Sequence, residues 1–76
     1  MGVKIYTVKG CPNCRKAKEY LKENNVEFEE IDLSNNPEKV KELQQISGSM
    51  STPTLDIGGN IIVGFDQDRI KKALNL

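Results

Sequence analysis

Three features of the sequence predict an α/β domain: a four-stranded mixed sheet flanked by three helices, in the order β-α-β-α-β-β-α. Short segments rich in β-branched residues alternate apolar and polar positions, as half-buried strands do. Between them lie stretches whose apolar residues recur at helical spacing. A Gly-Gly-Asn run near the end of the chain marks a tight hairpin. The chain of 76 residues is one small domain, spanning 1–76, with no repeat, linker or low-complexity segment.

The elements follow in order. VKIYTV, Val3 to Val8, alternates and reads as a strand, broken by Lys9-Gly10. From Pro12 the spacing turns helical, with Cys14, Ala17 and Leu21 on one face, and Pro12 suits the first helical position because its missing N–H is not needed there. Asn24-Asn25 ends this helix. VEFEEIDL, Val26 to Leu33, alternates again as a second strand, with Val26, Phe28 and Ile31 inward. Ser34-Asn35-Asn36 turns into a helix beginning at Pro37-Glu38, with Val40, Leu43 and Ile46 inward, and Ser47-Gly48 stops it. TLDI, Thr54 to Ile57, and IIV, Ile61 to Val63, are short strands joined by Gly58-Gly59-Asn60. Asp66 caps a last helix carrying Ile70, Ala73 and Leu74 on one side. The first two strands, joined through a helix, should pair in parallel by a right-handed crossover, and the hairpin should add two antiparallel strands.

Composition narrows the function classes. Lys plus Arg balances Asp plus Glu at 11 each without a run of one sign, which argues against a nucleic-acid or membrane-surface partner. No apolar stretch approaches the roughly 20 residues that span a bilayer. The start, MGVKIYTVKG, lacks the apolar segment and cleavage site of a signal peptide. Two cysteines cannot build the disulfide framework of a small secreted domain, so a monomer in the cytoplasm is the expectation.

Those two cysteines lie in GCPNC, residues 10–14. A structural zinc site takes four protein ligands and a catalytic one three; with two thiols and no histidine, no metal site is expected within one chain. A pair of inert core thiols is the bland alternative. Against it, Gly10 and Pro12 place Cys11 at a strand–helix junction, at or just before the helix start. Unpaired N–H groups and the positive end of the helix dipole favour an anion there. The Cys11 thiol should therefore ionise below the roughly 8.5 of free cysteine, with Lys9, Arg15 and Lys16 adding little as solvated charges. Cys14, inside the first turn beside Ala17, should remain an ordinary thiol. A nucleophile with a second thiol within reach makes a redox switch.

A C-x-x-C beside a βαβ pattern is a thioredoxin-like redox signal, and here the likeness is specific. The chain resembles the glutaredoxins over essentially its whole length, through IYTVKGCPNCRKAKEYL, ISGSMSTPTLDIGG and IIVGFDQDRI. Cys11-Pro12-Asn13-Cys14 matches that family's usual C-P-Y-C. Ser51-Thr52-Pro53 matches its Thr-Val-Pro, and Val63-Gly64-Phe65-Asp66 its Gly-Gly-Cys-Asp. Val8 stands where a Lys is usual, with Lys9 one step along; Asn13 replaces the Tyr, and Val63 the first Gly.

The resemblance implies a thioredoxin-like fold, a cis peptide bond before Pro53 facing the thiols, and a redox-active pair, Cys11 and Cys14. It implies substrate or glutathione contacts at Lys9, Pro12, Asn13, Thr52, Pro53, Gly64, Phe65 and Asp66. Glutathione is then a co-substrate rather than a tightly bound cofactor, and disulfide-bearing proteins are the partners. The Gly-Phe-Asp segment is also similar to small glutaredoxin-shaped redoxins that are recharged by thioredoxin reductase and feed ribonucleotide reductase. Two further readings come from other classes: an iron–sulfur cluster held between two copies, and a non-catalytic interaction module.

Overall fold

The computed structural model describes residues 2–76; Met1 lies outside the described residues. The elements are β1 (Val3–Thr7), α1 (Pro12–Glu23), β2 (Glu29–Asp32), α2 (Pro37–Ser47), β3 (Thr54–Ile57), β4 (Asn60–Val63) and α3 (Gln67–Leu74). The sheet runs β2-β1-β3-β4. β1 pairs in parallel with β2 and antiparallel with β3, and β3 pairs antiparallel with β4. This is the expected thioredoxin-like order.

Alternation along β1 sends Val3 and Ile5 to one face and Tyr6 to the other. On the first face they pack with Leu55, Ile57 and Ile62 against Ala17 and Leu21 of α1 and Ile70 of α3. On the second, Tyr6, Ile31 and Leu33 pack against Leu43 and Val40 of α2. Burial pushes the Tyr6 hydroxyl's pKa up, and the carboxylates of Glu42, Asp56 and Glu29 push it the same way. Tyr6 is thus a core residue of a central strand.

Several boundaries differ from the sequence expectation, each for a local reason. β1 ends at Thr7, and Val8 turns out to solvent ahead of the Lys9-Gly10 turn. β2 is Glu29–Asp32 rather than Val26 to Leu33. Val26 instead closes the end of α1, its N–H donating to the Leu21 carbonyl at 2.9 Å, while Asn25 takes a φ of 57°. Val26 and Phe28 still pack on the core from outside the strand. Asn60 belongs to β4, opposite Ile57, so Gly58-Gly59 alone forms the turn. Ile46 is not inward but 39% exposed. At 100° per residue, Val40, Leu43 and Ser47 centre the buried stripe of α2, and Ile46 lies about a quarter-turn off it.

The register brings three chain segments to one end of the sheet. Tyr6, near the end of β1, pairs with Thr54 at the start of β3, and Thr54 pairs with Val63 at the end of β4. The segment after β1, the one before β3 and the one after β4 therefore meet there.

Candidate active site

At that end the chain leaves β1, turns at Gly10 with a φ of 73°, and enters α1. The positive φ favours glycine, and it sets Cys11 at the N-cap in extended conformation (φ −101°, ψ 105°), with Pro12 at the first helical position. The Cys11 sulfur accepts the Cys14 N–H at 3.1 Å, and the Cys11 carbonyl accepts the Arg15 N–H at 3.2 Å. Cys11 and Cys14 are joined as a disulfide with Cα atoms 5.2 Å apart, inside the range such bonds span without backbone movement. Cys11 is partly exposed, whereas Cys14 retains only 2% of its surface. One sulfur faces incoming molecules and the other lies beneath it.

The loop before β3 lies against the same sulfur. The Thr52–Pro53 peptide bond is cis, and the Thr52 hydroxyl stands 3.9 Å from Cys11 Sγ. Pro53 is buried, and its carbonyl accepts the Gly64 N–H at 2.7 Å, which ties the segment after β4 to this loop. Gly64 takes a φ of 86° there. Thr54 Oγ1 donates to the Ser51 carbonyl at 2.7 Å and closes the turn. Among the described residues, neither the N–H nor the C=O of Thr52 makes a hydrogen bond within the chain. They remain available to an extended ligand.

The structure therefore brings together Cys11, Cys14, Thr52, Pro53 and Gly64. Asp66 follows two residues on, as the N-cap of α3, where its Oδ1 accepts the Arg69 N–H at 3.2 Å. Phe65 is half-buried, edge-on to Tyr20 at a centroid distance of 6.2 Å, and packs against the core. Pro12 and Asn13 are exposed in the first turn of α1. Lys9 is exposed as well, and its main-chain N–H donates to Ser34 Oγ at 3.1 Å.

A second feature flanks the pair on the β2 side of β1, away from Pro53. It is a cleft of about 380 Å³ whose lining includes Cys11, Cys14, Thr7, Lys18, Glu30 and Asp32. Glu30 Oε2 accepts from Thr7 Oγ1 at 2.8 Å and from Lys18 Nζ at 2.9 Å. The Lys18 bond, chiefly, holds the Glu30 carboxyl below its ordinary pKa, against the opposing effect of burial. Asp32 is also lowered, first by the Ser34 N–H it accepts at 2.8 Å. Sequence reasoning missed this cluster. Alternation places Glu30 opposite Ile31 and so on the α1 face, but nothing local in the sequence ties it to Lys18. Among the described residues, no three His, Cys, Asp or Glu side chains gather as a metal-ligand set. No helix of the described residues is long and apolar enough to cross a membrane.

Comparison with known proteins agrees with this geometry. The Glutaredoxin family model matches residues 3–62. An uncharacterized glutaredoxin-like 8.6 kDa protein in the rubredoxin operon of Clostridium pasteurianum is 38% identical over 72 residues, covering 95% of this chain and 96% of its own. Among solved structures, the glutaredoxin of Archaeoglobus fulgidus superposes with a TM-score of 0.89 at 26% identity, over 97% of this chain and 86% of that one. The glutaredoxin-like NrdH-redoxin of Escherichia coli, whose structure is described as the basis of a thioredoxin-like activity profile, gives a TM-score of 0.86 at 28% identity, over 95% and 93% of the two chains.

Proposed function

The chain belongs to the glutaredoxin family of thiol–disulfide oxidoreductases, and on that premise we propose that Cys11 is its nucleophile and Cys14 its resolving thiol. One observation carries the reading: Cys11 is the partly exposed sulfur, held at a helix N-cap by the Cys14 N–H. Reduced, that sulfur faces the amide and the helix dipole as a thiolate, the form that attacks disulfides. The Cys11 thiolate attacks a protein disulfide or a glutathione mixed disulfide and forms a mixed disulfide. Cys14 then closes the Cys11–Cys14 bond and releases the reduced product, or glutathione resolves the intermediate directly. No histidine is present, and a thiolate nucleophile needs none as a general base.

The unpaired main-chain groups of Thr52 support an extended substrate lying beside Cys11 as an added strand pair. Pro53, Gly64 and Asp66 border that path, with Asp66 accepting the amine of glutathione; Lys9, Pro12 and Asn13 form the opposite rim. Phe65 supports the site from below, through Tyr20. In this reading the protein acts as a cytoplasmic monomer with no resident cofactor.

The likeness to the NrdH-redoxin supports a second reading of the electron donor. In that second reading, thioredoxin reductase recharges the disulfide form of this chain, and ribonucleotide reductase is the target. The test supplies NADPH with either glutathione and its reductase or thioredoxin reductase, and follows reduction of the Cys11–Cys14 disulfide. Rapid turnover with only one system names the donor. Turnover with neither system would remove the oxidoreductase reading in both forms.

A further inference from the structure

We propose that Glu30 is a positioning residue for Cys14: by holding the Lys18 ammonium in an ion pair, it limits the share of Cys14 that ionises while Cys11 is the thiolate. The inference rests on Cys14 as the resolving thiol and adds what sets its ionisation.

Cys14 and Lys18 are four residues apart on α1, so they share a face one turn apart. Both line the cleft between α1, β1 and β2. Cys14 is buried, so charges there act on it partly through protein, where they are screened less than in bulk water. The cleft's cations are Lys9, Arg15 and Lys18, and its anions are Glu30 and Asp32. Asp32 is engaged by the Ser34 N–H. On the other side of the pair, the Ser51–Pro53 loop carries no titratable group, and Asp66 is held at the first turn of α3. Asp32 keeps its charge and acts on Lys18 from farther away, whereas Glu30 is the anion in direct contact with Lys18, at 2.9 Å. Its position is fixed by a second donor, since the hydroxyl of buried Thr7 bonds the same carboxylate oxygen as Lys18.

The consequence falls on resolution. In the mixed disulfide, the Cys14 S–H gives its proton to water in the cleft, and its thiolate attacks Cys11 Sγ. The Cys11–Cys14 bond forms as the bond from Cys11 to the substrate sulfur breaks. The substrate leaves as a thiolate and takes up a proton, its disulfide reduced by the two electrons of the two cysteines. A neutral Cys14 does not compete with Cys11 for the first attack.

The experiment follows the ionisation of Cys14 in the Cys11→Ser protein, by thiolate ultraviolet absorbance and by alkylation rate against pH. Adding Glu30→Gln should lower the midpoint by about half a unit, the scale of one partly exposed ion pair. Lys18→Met should raise it by a similar amount, and the double variant should return close to the parent. In the two-cysteine protein, Glu30→Gln should speed ring closure about twofold at neutral pH, because the gain in thiolate is partly offset by weaker nucleophilicity. A midpoint that stays put or rises in Glu30→Gln overturns the proposal, as does a double variant that stays as low as Glu30→Gln alone. A purely structural Glu30 would lower thermal stability without moving the midpoint. These outcomes separate from the underlying reading: dithiol reduction surviving in Cys14→Ser removes Cys14 as resolver wherever the midpoints fall, whereas an unmoved midpoint removes only the role of Glu30.

Discussion

The starts of α1 and α3 are the same device built with different atoms. Cys11 and Asp66 both sit at N-caps in extended conformation, at φ −101° and −106°, and each accepts the N–H three residues on, at 3.1 and 3.2 Å. Asp66 offers a carboxylate, so at α3 the arrangement stabilises the helix. Cys11 offers a sulfur that is charged only once its proton is lost. A helix start of this kind favours the ionised form of a thiol, which is the effect proposed for Cys11 at α1. The start of α2 shows that capping is not demanded by folding: Asn36 makes no side-chain cap bond, yet Pro37 and Glu38 open an 11-residue helix. On the proposed reading, the sulfur at the start of α1 serves chemistry beyond capping.

The largest expected effect comes from exchanging that sulfur for oxygen. Serine is a favourable N-cap, so Cys11→Ser should leave the reduced fold's stability within about 0.5 kcal/mol while abolishing all thiol–disulfide exchange. Cys14→Ser should keep activity toward glutathione mixed disulfides, which free glutathione can resolve, and lose dithiol reduction of proteins. In that variant the alkylation rate against pH should place the Cys11 midpoint about one unit or more below the 8.5 of free cysteine. Equal losses in both variants on both substrates, or a midpoint at 8.5 or above, would end the division of roles.

At the other helix start, two substitutions separate the cap from the charge. Asp66→Ala removes both and should cost about 1 kcal/mol in urea unfolding. Asp66→Asn keeps an equally good cap and loses only the attraction of the charge to the dipole, so stability should fall by about 0.5 kcal/mol or less. If Asp66 also accepts the amine of glutathione, the KM for a glutathione mixed disulfide should rise about threefold in Asp66→Asn, the worth of one exposed ion pair. An unchanged KM would leave Asp66 as a cap alone.

Much of this arrangement was legible in the sequence because it is local. Pro12 just ahead of the helical spacing is a local start signal, and Asp66 followed by a helical stripe is another. The Ser51-Thr52-Pro53 loop was legible through family resemblance, since proline alone does not announce its isomer. Ile46 differs from the expectation because it lies about a quarter-turn off the stripe of Val40, Leu43 and Ser47, where an apolar side chain alone does not secure burial. The second strand was overextended for a related reason: Val26 and Phe28 keep the alternation of a strand while serving the exit from α1. The place of Glu30 in the cleft was invisible because its partners, Thr7 and Lys18, are 23 and 12 residues away. Only the parallel pairing of β1 with β2 and the packing of α1 over them make those three side chains neighbours.

The smallest expected effect concerns that carboxylate, which side chains hold where Asp66 is held by an amide. The Glu30 carboxyl is lowered in the folded protein, chiefly by Lys18. A folded-state value below the unfolded one adds stability that is fully present above the unfolded value of about 4.3 and is lost as pH falls through the folded value. The two side chains are 29% and 39% exposed, so solvent screening keeps the contribution below about 0.5 kcal/mol. Urea unfolding of the parent and of Glu30→Gln, at about pH 7 and about pH 3, isolates it as a difference of differences. The parent should lose slightly more stability on acidification than the variant, and raised salt should shrink the gap as it screens the pair. Identical acid losses in the two proteins would mean that Lys18 and Glu30 meet without stabilising the fold, and that Glu30 matters, if at all, through the Cys14 thiol.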